Sequence, residues 1–587
     1  MAKKLFTTAK TETGLNTAVN DGTLDTQVAF IEESGNEGIY AKDKIYKTVP
    51  SDGRDGQVLL LQNGKGVWAN IDVLNLLSYG ISWKPNVADP IVTRVGNMSY
   101  HKTLPIQNNM KGCIAQMKDG AKIMYFLDPT DWRWRESSKR IILKDQALII
   151  NEGTYTLSND IFSTLQYEGQ WLKINNIPCQ VLSIDTSTSI ATIKPDSPIN
   201  AGTYDVELGA VLNGYDGEVM VLVPEFWIKS WDTDTRREVR ISPTKIDDTW
   251  EHQPKILISP YHNTVLNTVP ENMGYLSTLK VNSALSVMNI NSYCRGGNNS
   301  ADYDVYITSD RFRSMLGKPR TALNRSAMRN YCRQSGKEVL SYLQYKRVLY
   351  WLYFIEYANF NCQDEFNPEL TTEGFRQGGL GKGVSTIKNW NYWTFYNSNC
   401  PLTPNGYTNE FGNGTNIKAM TIITPTVSGG EPTLSTTPYV PRWHGIENPF
   451  GDIVITAEGI VSMPTITAEN GEKYNEIYAT DDPSLYGDGL YHYNRMRLIG
   501  IEPNTGGYIK EWDLGNTAEI IPRLDGTNPT QYKCAWHVFN TYSTYKGLFI
   551  GNAACDGVKA ALGTFAANTN SGYASNCIGT RSSCIVD

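Results

Sequence analysis

The sequence predicts a multidomain protein that is mainly β, with an α+β domain at its carboxyl end. Its 587 residues exceed what a single hydrophobic core usually supports. The composition is rich in glycine and aromatic residues and low in charge, which is typical of turn-rich β structure. Helical apolar periodicity appears after residue 216, whereas the earlier sequence breaks into short alternating runs.

Residues 1–80 are polar, glycine-rich and divided into short strand-like runs. In the clearest example, apolar runs at 58–62 and 67–71 flank the sequence NGKG at 63–66. An Asn-Gly step followed by a second glycine suits the positive φ angles of a tight hairpin. One hairpin of this size buries too little apolar surface to be stable alone. We therefore expect residues 1–80 to be stabilised by oligomerisation with copies of themselves.

The segment from about 136 to 215 alternates strand and turn. Runs such as RIILKDQALII and WLKINNIPCQVLSI alternate apolar and polar residues, and turns at 151–153 and 200–202 separate the strands. This pattern predicts a small β-sandwich. We expect it to be an insert that divides residues 81–135 from the domain formed by 216–587.

The segment 216–587 opens with the predicted strand EVMVLVPEFWIKSW and contains two predicted helices. One lies near 320–334 and the other extends over about 337–357. The second has an apolar face formed by Leu340, Leu343, Val348, Trp351, Leu352 and Ile355. The sequence that follows is glycine-rich, aromatic and irregular. Long irregular segments inside a compact domain normally carry function.

Charge and hydropathy exclude two classes of partner. The formal net charge is -7 and there is no long basic run, so we expect no nucleic-acid binding. The first residues lack the apolar core of a signal peptide. The most apolar stretch, 348–360, is too short for a bilayer and carries Glu356, so we expect no membrane insertion.

The ten scattered cysteines form no metal-ligand pattern and are interpreted as buried free thiols, with the disulfide state left open.

Three patterns that suggest chemistry lack a required residue. In GGLGKG at 378–383 a glycine follows the lysine, where a phosphate-binding loop needs Ser or Thr. The triplet EPN at 502–504 resembles the calcium-and-sugar triplet of animal C-type lectins, but Glu511 precedes Trp512 and Asp513, and the asparagine ligand is missing. His444 and His537 each adjoin a tryptophan and are expected to be packed. We therefore expect no catalytic residue, no metal and no cofactor.

Several stretches together resemble a known family. They are GISWKPNVADP at 80–90, YCRGGNN at 293–299, FRQGGLG at 375–381, RWHGIENPFGD at 442–452 and IGTR at 578–581. The set is similar to target proteins of diversity-generating retroelements in phages and prophages of gut Bacteroidales, of the crAss-like type. Such proteins end in a C-type-lectin-like domain of the formylglycine-generating-enzyme subtype. The resemblance covers most of 80–135 and 216–587. The run GQVLLLQNGKGVW at 56–68 is similar instead to the short repeats near the attachment ends of trimeric phage fibres.

The resemblance implies a variable region at about 540–580. In that family a reverse transcriptase randomises adenines, and the AAY codons that it targets cannot become Lys, Glu, Gln, Met or Trp. Residues 547–587 contain a single lysine, Lys559, and none of the other four types. A turn region built from small residues would show the same depletion without diversification.

The same region divides into expected scaffold and expected contacts. The scaffold residues are Gly547, Phe549, Gly551, Gly563, Phe565, Ile578, Gly579 and Arg581, and the arginine is expected to bind several carbonyls or a carboxylate. Tyrosine and small polar residues suit adaptable recognition, as in antibody loops. The candidate exposed ligand-binding residues are Tyr542, Tyr545, Ile550, Asn552, Ala553, Asp556, Thr564, Ala566, Asn568, Asn570, Tyr573 and Asn576.

The implied function is that of a virion fibre protein, made in the host cytoplasm, which binds a bacterial surface glycan or protein through a lectin-like tip. Residues 1–80 would attach a homotrimer to other virion proteins. The catalytic branch of the fold uses a cysteine pair where Cys555 lies, but no second cysteine is nearby, so we do not expect an enzyme.

Two alternatives remain open. One is a structural decoration fibre of the head or tail. The other is a glycan depolymerase, which needs two carboxylates about 5–10 Å apart in a cleft. The adjacent pairs Asp481 with Asp482 and Asp364 with Glu365 are instead interpreted as solvated turn residues.

Overall fold

The structure is a computed structural model in which the chain forms two compact units, Met1–Leu77 and Ser78–Asp587. It describes five strand backbones between 6 and 70 and most residues from 73 onward. Beyond residue 73 the description leaves out 86, 88–89, 158–168, 186, 189, 268, 270–273, 289–315, 387–401, 421, 425–433, 489–491, 493, 504, 529–534, 539–543, 545, 555, 568–569, 571, 576 and 587.

The first unit consists of short strands and one short helix, Val73–Leu77. A three-stranded sheet contains Phe6–Ala9, Val28–Ile31 and Gly38–Ala41. Gln57–Gln62 pairs with Lys65–Asn70, and Gln62 lies opposite Lys65. The predicted hairpin is therefore confirmed, while the oligomer expected for this segment stays a prediction.

The predicted β-sandwich is wrong, because the segment forms a closed six-stranded barrel. Its strands, in order around the barrel, are Ile141–Asn151, Thr154–Leu157, Ile190–Pro195, Ile177–Asp185, Trp171–Ile174 and Gly202–Leu208. The long first strand pairs with both of its neighbours, and its register shifts between Leu143 and Gln146. An irregularity of this kind bends a strand and lets one sheet curl onto itself.

The barrel has its own core and lies between two chain segments that pair with each other, while its predicted status as a separate inserted domain stays a prediction. Inward side chains such as Leu148, Leu172 and Val206 form a separate apolar cluster. The chain segments that flank the barrel pair with each other. Lys111–Gln116 is hydrogen-bonded to Glu218–Val223, and Tyr79–Trp83 is hydrogen-bonded to Arg237–Ser242.

Two sheets are built from chain segments on both sides of the barrel. A six-stranded sheet has the order Glu338–Val339, Ser582–Ile585, Ile256–Ile258, Glu218–Val223, Lys111–Gln116 and Lys122–Phe126. A five-stranded sheet has the order Glu251–Gln253, Phe226–Asp232, Arg237–Ser242, Tyr79–Trp83 and Thr93–Gly96. The carboxyl-terminal strand thus completes a sheet that begins near residue 111.

A third, ten-stranded sheet carries the region that the sequence singles out. Its main path is Ile466–Thr467, Lys473–Ala479, Val454–Ser462, Lys546–Ile550, Phe565–Ala566, Trp536–Val538, Gly507–Leu514 and Ile520–Gly526. Arg497–Glu502 and Ile578–Gly579 join this path from the side. We call this sheet the tip sheet. The remaining short strands are Thr264–Val265 with Ala284–Leu285, Phe366–Asn367 with Gln377–Gly378, Ile422–Thr424 with Leu434–Thr436, and Asn416–Ala419 with Tyr439–Trp443 and Ile446–Glu447.

The two predicted helices are present, but both begin later than predicted. The first is Arg325–Gln334, and Asn324 caps it by accepting the amide of Ala327 at 2.8 Å. The second, which we call the central helix, comprises α-helical Tyr342–Gln344, π-helical Tyr345–Trp351 and α-helical Leu352–Tyr357. Residues 338–339, predicted as helix, instead form a strand on Ser582–Ile585.

The central helix is buried on every side from Tyr345 to Tyr357. The single apolar face seen in the sequence is therefore an underestimate of its burial. The other helical segments are short: Met98–Thr103, Gln107–Asn109, Ser137–Lys139, Gly274–Thr278, Gly383–Thr386, Asn409–Phe411, Pro483–Leu485 and Gly557–Lys559.

Arg581 connects the carboxyl terminus to two distant segments. Its fully buried guanidinium donates to the carbonyl oxygens of Ser259 at 3.2 Å and Pro260 at 2.6 Å through Nη1. Through Nη2 it donates to the carbonyl oxygens of Glu447 and, at 2.8 Å, Asn448. Burial lowers the pKa of Arg581 to about 10, so the group remains charged at neutral pH. The predicted role of Arg581 as a carbonyl-binding scaffold residue is confirmed.

Replacing Arg581 by alanine is expected to destabilise the larger unit by about 3–5 kcal/mol, because it leaves several buried carbonyls without a donor. Arg523→Ala is the matched control, since the Arg523 side chain is 42% exposed and its removal should change stability by less than about 0.5 kcal/mol. Thermal unfolding of both variants measures the difference. Equal melting temperatures would contradict the role given to Arg581.

Candidate functional site

The structure places most of the predicted contact residues differently from the prediction. Ile550, Asn552, Ala553, Thr564 and Ala566 are buried, so the prediction that they are exposed is wrong. Asp556 is half-buried, whereas Asn570 and Tyr573 are exposed, as predicted. Tyr542, Tyr545, Asn568 and Asn576 lie outside the described residues. Their role as contacts, and the diversification of the region, stay predictions.

The polar residues Asn552, Asp556 and Thr564 hold a short loop in place. The side chains of Asn552 and Thr564 both donate to the carbonyl oxygen of Lys559, each at 2.9 Å. Asp556 accepts the amide of Ala553 at 2.7 Å and begins the short helix Gly557–Lys559. These residues therefore position the segment that carries Lys559.

Lys559 belongs to a cluster with two aromatic side chains, which we call the aromatic platform. The Lys559 ammonium lies 4.3 Å from the centroid of the Trp536 indole, and the Tyr508 ring meets this indole edge-on at 4.9 Å between centroids. All three residues are half-buried, and the neighbouring Val558 is 37% exposed. Tyr508 and Trp536 are cross-strand neighbours, so their side chains share one face of the tip sheet.

A buried histidine anchors the opposite face of the same strand. Because side chains alternate along a strand, Trp536 points outward and His537 points inward. His537 Nδ1 lies 2.7 Å from Asp525 Oδ2, and His537 Nε2 lies 3.0 Å from Glu502 Oε1. We call these residues the buried triad. The prediction that His537 is a packed histidine is confirmed.

The buried triad carries its own charge balance. Burial acts to lower the pKa of His537, but the hydrogen bonds to Asp525 and Glu502 outweigh it and raise the pKa to about 9. His537 is therefore a cation between two carboxylates at neutral pH. Two charge-assisted hydrogen bonds hold the strand that carries Trp536 against its neighbours.

Glu502 is the acidic residue of the triplet that resembles a calcium site. Its other carboxylate oxygen accepts Ser462 Oγ at 2.9 Å and Asn475 Nδ2 at 3.4 Å. The Glu502 carboxylate is fully buried, and its hydrogen bonds engage both oxygens. Across the described part of the chain, no three His, Cys, Asp or Glu side chains converge as a metal site.

The predicted scaffold residues of the tip sheet are all buried. Gly563 shows why glycine is needed, because an added Cβ would lie 3.0 Å from the Trp512 ring and 3.1 Å from the Tyr350 ring. Both rings belong to the main apolar core. The loop that carries Lys559 is thus closely packed on the central helix.

The motif RWHGIENPFGD also has a structural role. The Glu356 carboxylate on the central helix accepts Trp443 Nε1 at 3.0 Å and lies 2.9 Å from His444 Nε2. The Arg442 guanidinium lies 3.9 Å from the Trp132 ring centroid. His444 is therefore packed, as predicted. Cys555 lies outside the described residues.

The carboxylates considered for a depolymerase have local structural partners. Asp481 lies 2.9 Å from Arg347, and Asp482 caps the short helix Pro483–Leu485. Asp364 accepts side-chain amides from Asn359 and Asn361, each at 2.6 Å. Asp481, Asp482 and Asp364 therefore each have a structural partner, and the depolymerase alternative stays a prediction.

Two findings concern thiols and membranes. Cys113, Cys179 and Cys332 are buried free thiols, as predicted, Cys362 is also buried, and Cys577 and Cys584 are half-buried. Within the described residues, no helix has the length and apolar character that a transmembrane span requires.

Comparison with known proteins identifies no relative, because no family model, curated protein or solved structure matches the chain.

The buried triad predicts a pH-dependent contribution to stability. A folded-state pKa of about 9, above the ordinary value of 6.5, contributes stability that is complete below pH 6.5 and is lost as the pH rises through 9. The size is roughly 3 kcal/mol, from about 1.4 kcal/mol per pKa unit. We expect the difference in melting temperature between wild type and His537→Gln to shrink over this pH window.

The control for this measurement is His252→Gln, because His252 is an exposed histidine paired with Glu225 on another sheet. The difference in melting temperature between His252→Gln and wild type should stay constant from pH 6.5 to 9. If the difference in melting temperature between His537→Gln and wild type is also constant over this pH range, the assignment of a charged His537 is refuted.

Proposed function

We propose that this chain is a receptor-binding fibre protein of a bacteriophage virion, related to the diversified lectin-like proteins that its motifs resemble. In this proposal the aromatic platform and the exposed residues Asn570 and Tyr573 form the surface that meets a glycan or protein of the bacterial envelope. The single observation that carries it is the half-buried Trp536, with Tyr508 and Lys559 against it, on a strand fixed by the buried triad.

The platform has the chemical character of a recognition surface. Tryptophan and tyrosine offer large contact area at little cost in conformational entropy, and they are enriched among residues that dominate binding energy. A lysine beside them adds a hydrogen-bond donor and a positive charge. Because the inner face of the strand is held by charge-assisted bonds, the outer side chains are held in position before a partner arrives.

The amino-terminal unit completes the proposal. We propose that residues 1–80 attach the chain to other virion proteins and bring three copies together. Weak single sites would then gain avidity from their number, because the effective concentration of a second site is high once the first has bound. The proposed activity is binding without catalysis.

Trp536→Ala is expected to reduce attachment of the purified chain to host cells by at least about tenfold, the effect of removing a central aromatic contact. A panel of gut Bacteroidales strains supplies the host cells, and flow cytometry with fluorescently labelled protein measures attachment. Lys559→Glu is a second variant, which reverses a surface charge and leaves the strand unchanged.

The matched control is Trp227→Ala. Trp227 is also half-buried and also contacts another ring, that of His252, but it lies in the five-stranded sheet. Its removal should leave attachment within about twofold of wild type. Full attachment by Trp536→Ala and Lys559→Glu would exclude the platform as the receptor site.

A further inference from the structure

A second surface feature lies away from the tip sheet, at the edge of the six-stranded sheet. An open pocket of about 690 Å³ is bounded by the strands Lys111–Gln116 and Lys122–Phe126 and by the helix Gly274–Thr278. Arg135, which precedes the first barrel strand in the chain, also lines it. A volume of this size is in the range of sites that hold small molecules.

The lining of the pocket contains a fixed carboxylate. Asp216 Oδ2 accepts the Tyr125 hydroxyl at 3.1 Å and Arg135 Nη2 at 3.1 Å. Burial raises the pKa of Tyr125, so its phenol keeps the proton that it donates. Among the described residues no group donates to Asp216 Oδ1, and the side chain is 28% exposed. This oxygen is an acceptor directed by two fixed bonds.

Two donors accompany this acceptor. The Tyr275 hydroxyl accepts the amides of Met117 at 3.0 Å and Lys118 at 3.3 Å, so both of its lone pairs are used and its own proton remains to be donated. No described residue accepts that proton. The buried Nε of Arg135 also lacks a hydrogen-bond partner among the described residues.

The remaining lining combines apolar, polar and charged side chains and carries no net charge. The half-buried ring of Tyr215 and the exposed Met124 side chain contribute the apolar wall. Lys118 and Arg135 are balanced by Asp119 and Asp216, so the charged residues of the lining sum to zero. An anion or a cation would gain little from such a site, whereas a neutral ligand would not be repelled.

We infer that this pocket binds a neutral, hydroxyl-rich ring, such as a hexose or an N-acetylhexosamine, alone or as part of a glycan. Each sugar hydroxyl donates and accepts, which matches an acceptor at Asp216 beside donors at Tyr275 and Arg135. The C–H face of the ring packs on Tyr215 and Met124. This site is separate from the aromatic platform, and it does not require that the platform bind a receptor.

The test is a ligand-observed NMR titration of the full chain with the methyl glycosides of D-glucose, D-galactose and N-acetyl-D-glucosamine, and with D-glucuronate as the anionic probe. We expect at least one neutral sugar to bind with a Kd of about 1 mM or tighter. Asp216→Asn should weaken that sugar by at least about fivefold, because the amide replaces a charged acceptor by a neutral one.

A matched pair of variants tests the location. Thr278 and Ser277 are neighbouring exposed residues, and each hydroxyl donates to a carbonyl three residues earlier, but only Thr278 lines the pocket. Thr278→Trp should fill the pocket and weaken the sugar by at least about tenfold, whereas Ser277→Trp should change the Kd by less than about twofold.

Three results would overturn the inference. The first is that no neutral sugar binds with a Kd below about 10 mM. The second is that Thr278→Trp binds the sugar as tightly as wild type. The third is that D-glucuronate is the one probe that binds. Trp536→Ala should leave the sugar affinity unchanged, because Trp536 belongs to the tip sheet. Loss of cell attachment with unchanged sugar binding, or the reverse, therefore separates this site from the proposed receptor surface.

Discussion

The position of the buried Arg581 guanidinium constrains the rest of the larger unit. Its bonds to carbonyls of 259–260 and 447–448 tie the last strand to the six-stranded sheet and to the motif RWHGIENPFGD. Just before Arg581, Ile578–Gly579 pairs in parallel with Val454–Ser462 of the tip sheet. One short segment therefore belongs to two sheets, and a planar group with several donors is the side chain that can satisfy all of these carbonyls at once.

Other buried charges extend this framework. Glu218, in a strand of the six-stranded sheet, forms a fully buried pair with Lys337, and Glu356 holds Trp443 and His444 against the central helix. Buried pairs add little net stability compared with apolar packing, but a conformation in which one of them is broken leaves an uncompensated buried charge. They favour one arrangement over others. In the tip sheet the buried triad has the same effect, and it leaves the outward side chains of the strand available for contact.

The sequence was sufficient for features that depend on local pattern and insufficient for those that depend on distant partners. The hairpin at 57–70 and the central helix follow from turn residues and apolar runs. The start of that helix was misplaced because Glu338–Val339 pairs with a strand at the far end of the chain. Small residues such as Ala553 and Thr564 are buried in a loop that packs closely on Trp512 and Tyr350. The close packing explains why small residues are abundant in this region although they are not exposed. Lys559 is the single lysine between residues 547 and 587, and its presence there was the one feature of the sequence that pointed to the aromatic platform.

We propose that Trp536 and Tyr508 contact the receptor while His537 remains buried. Oxidative footprinting of the full chain, free and bound to host cells, tests this contact directly at the level of single residues. We expect Trp536 and Tyr508 to lose reactivity on binding, whereas Trp227 and Tyr439, which lie on other sheets, should remain as reactive as in the free chain. Unchanged reactivity of Trp536 and Tyr508 on cells that carry the bound protein would contradict it.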